Sequence, residues 1–118
     1  GHQTRPNIHI DDMVEVYQHF LARPDLPTGC YNAGFENLSI LEVAELVQAE
    51  IPAEIVVTES MDSRSYRQNS DKLLATGFMP RHGVRDAIGE ISRCFHEGRL
   101  PDSPSCFNVS WMRQLSPQ

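Results

Sequence analysis

Arg5-Pro6-Asn7-Ile8-His9-Ile10 runs directly into Asp11-Asp12-Met13-Val14-Glu15-Val16-Tyr17-Gln18-His19-Phe20-Leu21, and the change of period between the halves decides the fold class. In the first half, Pro6 fixes its own φ and biases Arg5 away from helix, so the segment is extended. In the second, Met13, Val16, Tyr17, Phe20 and Leu21 recur at i, i+3, i+4, i+7 and i+8, one stripe of an amphipathic helix. Asp11-Asp12 supplies N-caps, and Asp12 with Glu15 has capping-box spacing. Pro24 and Pro27 stop the helix, which the spacing places at about 12–22.

The same alternation continues downstream. Cys30-Tyr31-Asn32-Ala33, closed by Gly34, is a short strand candidate, with Asn32 and Gly34 forming a strand end and tight turn. Ser39 with Glu42 makes a second capping box, and Ile40, Ala44, Val47 and Ile51 give its helix an apolar stripe that Pro52 ends. Glu54-Ile55-Val56-Val57-Thr58 is short and β-branched, hence a strand. Ser70 caps a short helix through Ala75, and Gly77 stands where a left-handed C-cap belongs. Val84, Ala87, Ile88, Ile91 and Phe95 build a fourth helix, ended by Gly98. The tail, with Pro101, Pro104 and Pro117, is expected to be irregular, with Cys106-Phe107-Asn108-Val109 docking as an extended piece.

The expected fold is therefore α/β, about four helices with two or three short strands. So few strands make a poor sheet on their own, which marks the chain as part of something larger. Residues 1–4 read as a linker or cloning remnant, 5–99 as the folded portion and 100–118 as the irregular tail.

Composition narrows the function. The 118 residues are 40% hydrophobic, enough for one small domain with a core. Sixteen acidic against ten basic residues give a net charge of −6, which repels nucleic-acid phosphates and anionic membranes. No apolar run reaches the ~20 residues of a membrane span. Three cysteines, Cys30, Cys94 and Cys106, form no CxxC pair and suit reduced, buried thiols in a cytoplasm.

The absent motifs are informative. No glycine-rich dinucleotide loop follows a strand, and there is no P-loop. The single lysine, Lys72, has Gln68 four residues before it, so no Tyr-x-x-x-Lys pair exists. The five histidines never stand at i, i+4 with one another, so a metal site is not expected. What remains is arginine in extended or loop segments: Arg5 before Pro6, and Arg64 in Asp62-Ser63-Arg64-Ser65-Tyr66-Arg67. A guanidinium fork bonds two phosphate oxygens at once and suits a diphosphate. On spacing alone, a solvated or surface-paired arginine is the favoured reading at both positions.

Several blocks together resemble the extended short-chain dehydrogenases/reductases, the NAD(P)-dependent nucleotide-sugar epimerases and dehydratases. Arg5-Pro6-Asn7-Ile8-His9-Ile10-Asp11-Asp12-Met13 is similar to their R-x-x-(I/V)-H-(V/I)-x-D-(M/V/L) segment. Tyr31-Asn32-Ala33-Gly34 with Ser39-Ile40-Leu41-Glu42-Val43-Ala44 resembles their Y/F-N-(V/A/L)-G and S-(I/V)-x-E-(L/I/V)-A passage. Asp62-Ser63-Arg64-Ser65-Tyr66-Arg67, then Ser70-Asp71-Lys72-Leu73 and Gly77-Phe78-Met79-Pro80, resembles D-x-R-x-Y-x-x-x-x-x-K with L-G-(F/W)-x-P. Phe107-Asn108-Val109 is similar to the Y-x-N-(V/I)-K tail of one subgroup. The blocks keep family order from Arg5 to about Val109.

The resemblance covers only the family's C-terminal third. It implies a substrate-binding portion, with the N-terminal Rossmann domain, its NAD loop and its Tyr-x-x-x-Lys absent from this chain. The implied ligand is a nucleotide-diphosphate sugar, held by Arg5 and Arg64. Asn7 stands near the same phosphates, where the family commonly has an aromatic residue. The implied chemistry of the parent is hydride transfer from a sugar carbon to NAD or NADP, returned with inversion or with loss of water. The isolated chain is expected to be inactive and to bind no cofactor. A non-catalytic ligand-binding or interaction module derived from the same family is the alternative. As a severed enzyme piece the chain is expected to form a homodimer or swapped contacts, because helix 12–22 would lose its packing partner, whereas an independent interaction module would be a monomer.

Overall fold

The computed structural model describes residues 1–59, 64–100 and 103–115. In chain order it contains β1 (Thr4–Asn7), α1 (Ile10–Leu21), β2 (Glu36–Ser39), α2 (Ile40–Glu50), α3 (Asp71–Leu74), α4 (Val84–His96), a 3-10 turn at Pro104–Cys106, and α5 (Asn108–Leu115). The α/β class stands: the described residues hold five helices and one small sheet.

That sheet has two strands. β1 pairs antiparallel with β2, with Thr4 opposite Ser39 and Asn7 opposite Glu36. The extended entry is thus a strand, but its partner is not among those expected from the sequence. Cys30–Ala33 and Glu54–Thr58 form no ladder. β-propensity supplies a backbone ready to pair; a strand also needs a neighbour at ladder distance. At Tyr31–Gly34 that neighbour is replaced by side-chain bonds. Asn32 Nδ2 donates to the Asn69 carbonyl at 3.0 Å, and the Ser70 hydroxyl bridges the N–H and C=O of Gly34 at 3.0 and 2.9 Å. Ser70 therefore makes no side-chain cap for α3. A Cβ on Gly34 would run into the Gln68 side chain, which explains a glycine at this close approach.

The helices follow local signals more closely. α2 carries the full capping box, Ser39 Oγ accepting from the Glu42 N–H at 3.1 Å and Glu42 accepting from the Ser39 N–H at 2.6 Å. Its first two N–H groups donate to the carbonyls of Gln3 and Gly1, so the chain's opening residues are tied to this helix. Gly77, at φ +85°, takes the left-handed position expected after α3.

α1 starts earlier than expected and is capped differently. His9 is the N-cap, its Nδ1 accepting from the Asp11 N–H at 3.2 Å. Asp12 instead turns inward and is fully buried, and Glu15 pairs with Arg81 at 3.2 Å. The Asp12–Glu15 capping box does not form, because the Arg81–His82 backbone competes for the carboxylate.

The tail also differs from expectation. Asn108–Leu115 is helical, and Cys106–Val109 straddles the 3-10 turn and α5 rather than docking as a strand. Pro101 and Pro117 lie outside the described residues. Cys30 and Cys106 are exposed rather than buried, and Cys94 is half-buried. No helix among the described residues is long and apolar enough to cross a membrane.

The core is small. Val16 from α1, Leu73 from α3 and Phe78 are buried, with Phe20, Tyr31, Ala33 and Phe35 packed around them. Phe35 stacks on Phe78 at 5.7 Å, and His19 meets Phe78 edge-on at 5.5 Å.

Candidate functional site

The structure brings Arg5 and Arg64 together. β1 places Arg5 at the sheet, and the segment from Arg64 runs beside Thr4. The Thr4 N–H donates to Ser65 Oγ at 3.0 Å, and the Tyr66 N–H donates to the Thr4 carbonyl at 3.3 Å. Arg5 Nη1 donates to the carbonyls of Thr4 at 2.9 Å and Arg64 at 2.5 Å. The same guanidinium lies over the Tyr66 ring, 4.8 Å from its centroid. Such a contact fixes the plane of the fork as well as its position.

The rest of that segment is held by reciprocal bonds. Asn37 on β2 accepts from the Gln68 N–H at 2.8 Å and donates to the Gln68 carbonyl at 3.0 Å. Asn7 donates to the carbonyls of Arg5 at 2.9 Å and Glu36 at 3.1 Å. Asn7 thus braces the β1–β2 pair, a role that its sequence context did not reveal. Asp62 and Ser63, which open the Arg64 block, lie outside the described residues.

Beside Arg5 is a groove of about 360 Å³. Gln3 and Arg5 form its polar side; Ile40, Leu41 and Ala44 of α2 face Ile55–Thr58 across it. A surface with charge at one edge and apolar walls beyond it suits an amphiphilic ligand with an anionic part.

A second polar cluster gathers where α1 begins. Asp12 accepts the Arg81 and His82 N–H groups at 3.1 Å and meets His82 Nδ1 at 2.9 Å. Burial pushes this carboxyl up, but the bonds from His82 and Arg81 outweigh it and hold its pKa below the ordinary value. The Asp12 contact in turn raises the pKa of His82. His9 stacks on His82 at 4.8 Å, and its Nε2 lies 3.4 Å from Glu90.

Ligand atoms of His9, Asp11 and Glu90 fall within 4.8 Å of one another. With Nδ1 accepting the Asp11 N–H, the ring proton sits on Nε2. A cation there would require moving that proton to Nδ1 and breaking the α1 cap. The cluster is built to start a helix.

The N-terminus of α4 is not open to a pyrophosphate. The glycine that opens a full-length helix, Gly83 before α4, already donates its N–H to Asp86 at 2.7 Å. A Cβ there would stand 3.1 Å from the Glu36 carboxylate, and that carboxylate repels a phosphate. No protein-family model matches this chain.

Proposed function

We propose that this chain binds the diphosphate of a nucleotide sugar between Arg5 and Arg64, as the C-terminal substrate-binding portion of an NAD(P)-dependent epimerase or dehydratase of the extended short-chain dehydrogenase/reductase type. The observation that carries the reading is the bond from Arg5 Nη1 to the Arg64 carbonyl. It joins two arginines that are 59 residues apart in sequence, and these are the two that the motif blocks single out.

In a chain of net charge −6, the Arg5 guanidinium, bonded to the Arg64 backbone, and the side chain of Arg64 supply a local attraction for a dianion in this reading. The apolar walls along Ile40, Leu41 and Val56 take the ring faces of the ligand. Binding energy gathered at the diphosphate fixes the sugar at a distance from the reacting carbon. Hydride chemistry in such an enzyme belongs to residues other than these.

Calorimetric titration with UDP-, GDP-, CDP- and dTDP-sugars tests the reading. One nucleotide class is expected to bind, and Arg64→Ala to weaken it by about tenfold or more, the worth of a charge-assisted bond. In the complete enzyme the same change raises KM for the nucleotide sugar. Failure of every nucleotide sugar to bind, or indifference to Arg64→Ala, overturns the proposal.

A further inference from the structure

α1 is started by an imidazole rather than by the hydroxyl, amide or carboxylate oxygen usual at an N-cap. His9 Nδ1 accepts the Asp11 N–H at 3.2 Å. A hydroxyl or amide oxygen keeps its lone pairs across the physiological range, but an imidazole nitrogen accepts only while it carries no proton.

The surroundings of His9 give a protonated ring somewhere to turn. The residue is buried, 6% exposed. Nε2, which carries the proton of the neutral ring, lies 3.4 Å from the Glu90 carboxylate of α4. Nδ1 lies 3.9 Å from Asp11 Oδ2, an exposed carboxylate on the same residue whose N–H the ring holds. His82, in the segment before α4, stacks on His9 with centroids 4.8 Å apart, and Asp12 meets His82 at 2.9 Å. Glu50, at the end of α2, and Arg85, Asp86 and Arg93 of α4 line the same hollow of about 580 Å³.

We propose that His9 is a proton-operated latch on the first turn of α1. With the ring neutral, Nδ1 holds the Asp11 N–H and the turn is closed. Protonation converts Nδ1 from acceptor to donor, so the Asp11 N–H loses its partner and the new ring N–H turns to the Asp11 carboxylate. Nε2–H faces Glu90 in both states. The charged ring thus sits between two carboxylates, which offset the cost of charging a buried group. Glu50 and Asp86 act in the same sense. His82, whose charged form is favoured by Asp12, opposes a second charge across the stack, as do Arg85 and Arg93. The change stays local, because the Met13 N–H remains on the His9 carbonyl at 3.0 Å. It loosens the joint between β1 and α1, two residues beyond Asn7.

Nuclear magnetic resonance of the isotope-labelled chain from about pH 8 to about pH 4.5 tests the latch. At the upper end the His9 ring should show Nε2 protonated and Nδ1 bare. As the ring takes its second proton, the Asp11 amide proton should move upfield with the same midpoint. Its protection from exchange, taken against the free-peptide rate at each pH, should fall about fivefold, the usual worth of an N-cap side chain. His9→Asn supplies an oxygen that accepts at every pH, so the Asp11 amide should no longer follow an imidazole midpoint. Asp11→Asn removes that carboxylate's own titration and should leave the response of the amide at position 11 in place, as should His82→Gln. The ring and amide readings of the unsubstituted chain stand without any variant. A His9 ring with its proton on Nδ1 at the upper end, or an amide at position 11 indifferent to protonation of His9, overturns the proposal. So does a response that survives His9→Asn or vanishes in His82→Gln.

Discussion

Asp12 is fully buried with its carboxylate shared among two backbone N–H groups and one imidazole, and this arrangement makes stability depend on pH in two directions. The carboxyl's pKa is lowered in the folded state, so its contribution is present above about its ordinary 3.8 and is lost as pH falls further. His82 is shifted the other way. Its contribution is complete below 6.5 and is lost as pH rises through the raised folded value. Asp11 and Asp86 add to that upward shift. Urea unfolding should therefore give a midpoint highest between about pH 4 and 6.5 and declining on either side. His82→Gln should flatten the decline above 6.5 and reduce the acid limb only in part, because the backbone N–H groups at 81 and 82 still bond Asp12. An unaltered alkaline slope in that variant would show that another group causes it. Local spacing reads Asp12 as a cap; its actual partners are about 70 residues away, which no local pattern encodes.

Among the elements, those specified by neighbours in sequence were legible and those specified by distant pairing were not. α2 is the clearest case. Its capping box joins Ser39 and Glu42, three residues apart, so both halves of the signal lie in one short string. Ser39→Ala should lower stability by about 1 kcal/mol, the usual worth of an N-cap side chain. Chemical unfolding reads that loss, and an unchanged midpoint would mean that the Gln3 and Gly1 carbonyls hold the helix start without it. β2 was missed for the opposite reason. Glu36-Asn37-Leu38-Ser39 has little β-propensity, and it is a strand because β1 lies alongside it. Glu54–Thr58, with stronger propensity, has no ladder and lines a groove instead. The candidate site divides in the same way. Arg5 and Arg64 stand out as guanidinium groups in extended or loop segments, whereas their juxtaposition depends on Ser65, Tyr66 and Asn37 fastening a distant segment to the sheet.

For the whole molecule, the shortage of buried surface governs behaviour. The radius of gyration is 17.1 Å, against about 13.5 Å for a compact domain of this length. Among the described residues three hydrophobic side chains are buried, while eighteen large ones are exposed. A core that small contributes little, and most of the large apolar side chains of the described residues stay in solvent. Thermal unfolding should consequently depend on concentration, the midpoint rising as the chain is made more concentrated, because association stabilises the folded form by mass action. A midpoint independent of concentration would mean that the small core suffices.

The sequence by itself determined the α/β class, the positions of α2, α3 and α4, and the two arginines with the chemistry to hold a diphosphate. These depend on period, caps and side-chain type, all of which are written within a turn or two of chain. Only the tertiary structure decided which extended segments became strands, that Asp12 serves a backbone far from its own helix, and that Arg5 meets Arg64. Each of those depends on closing a long loop, where the outcome is set by what else the polar groups can reach rather than by their immediate neighbours.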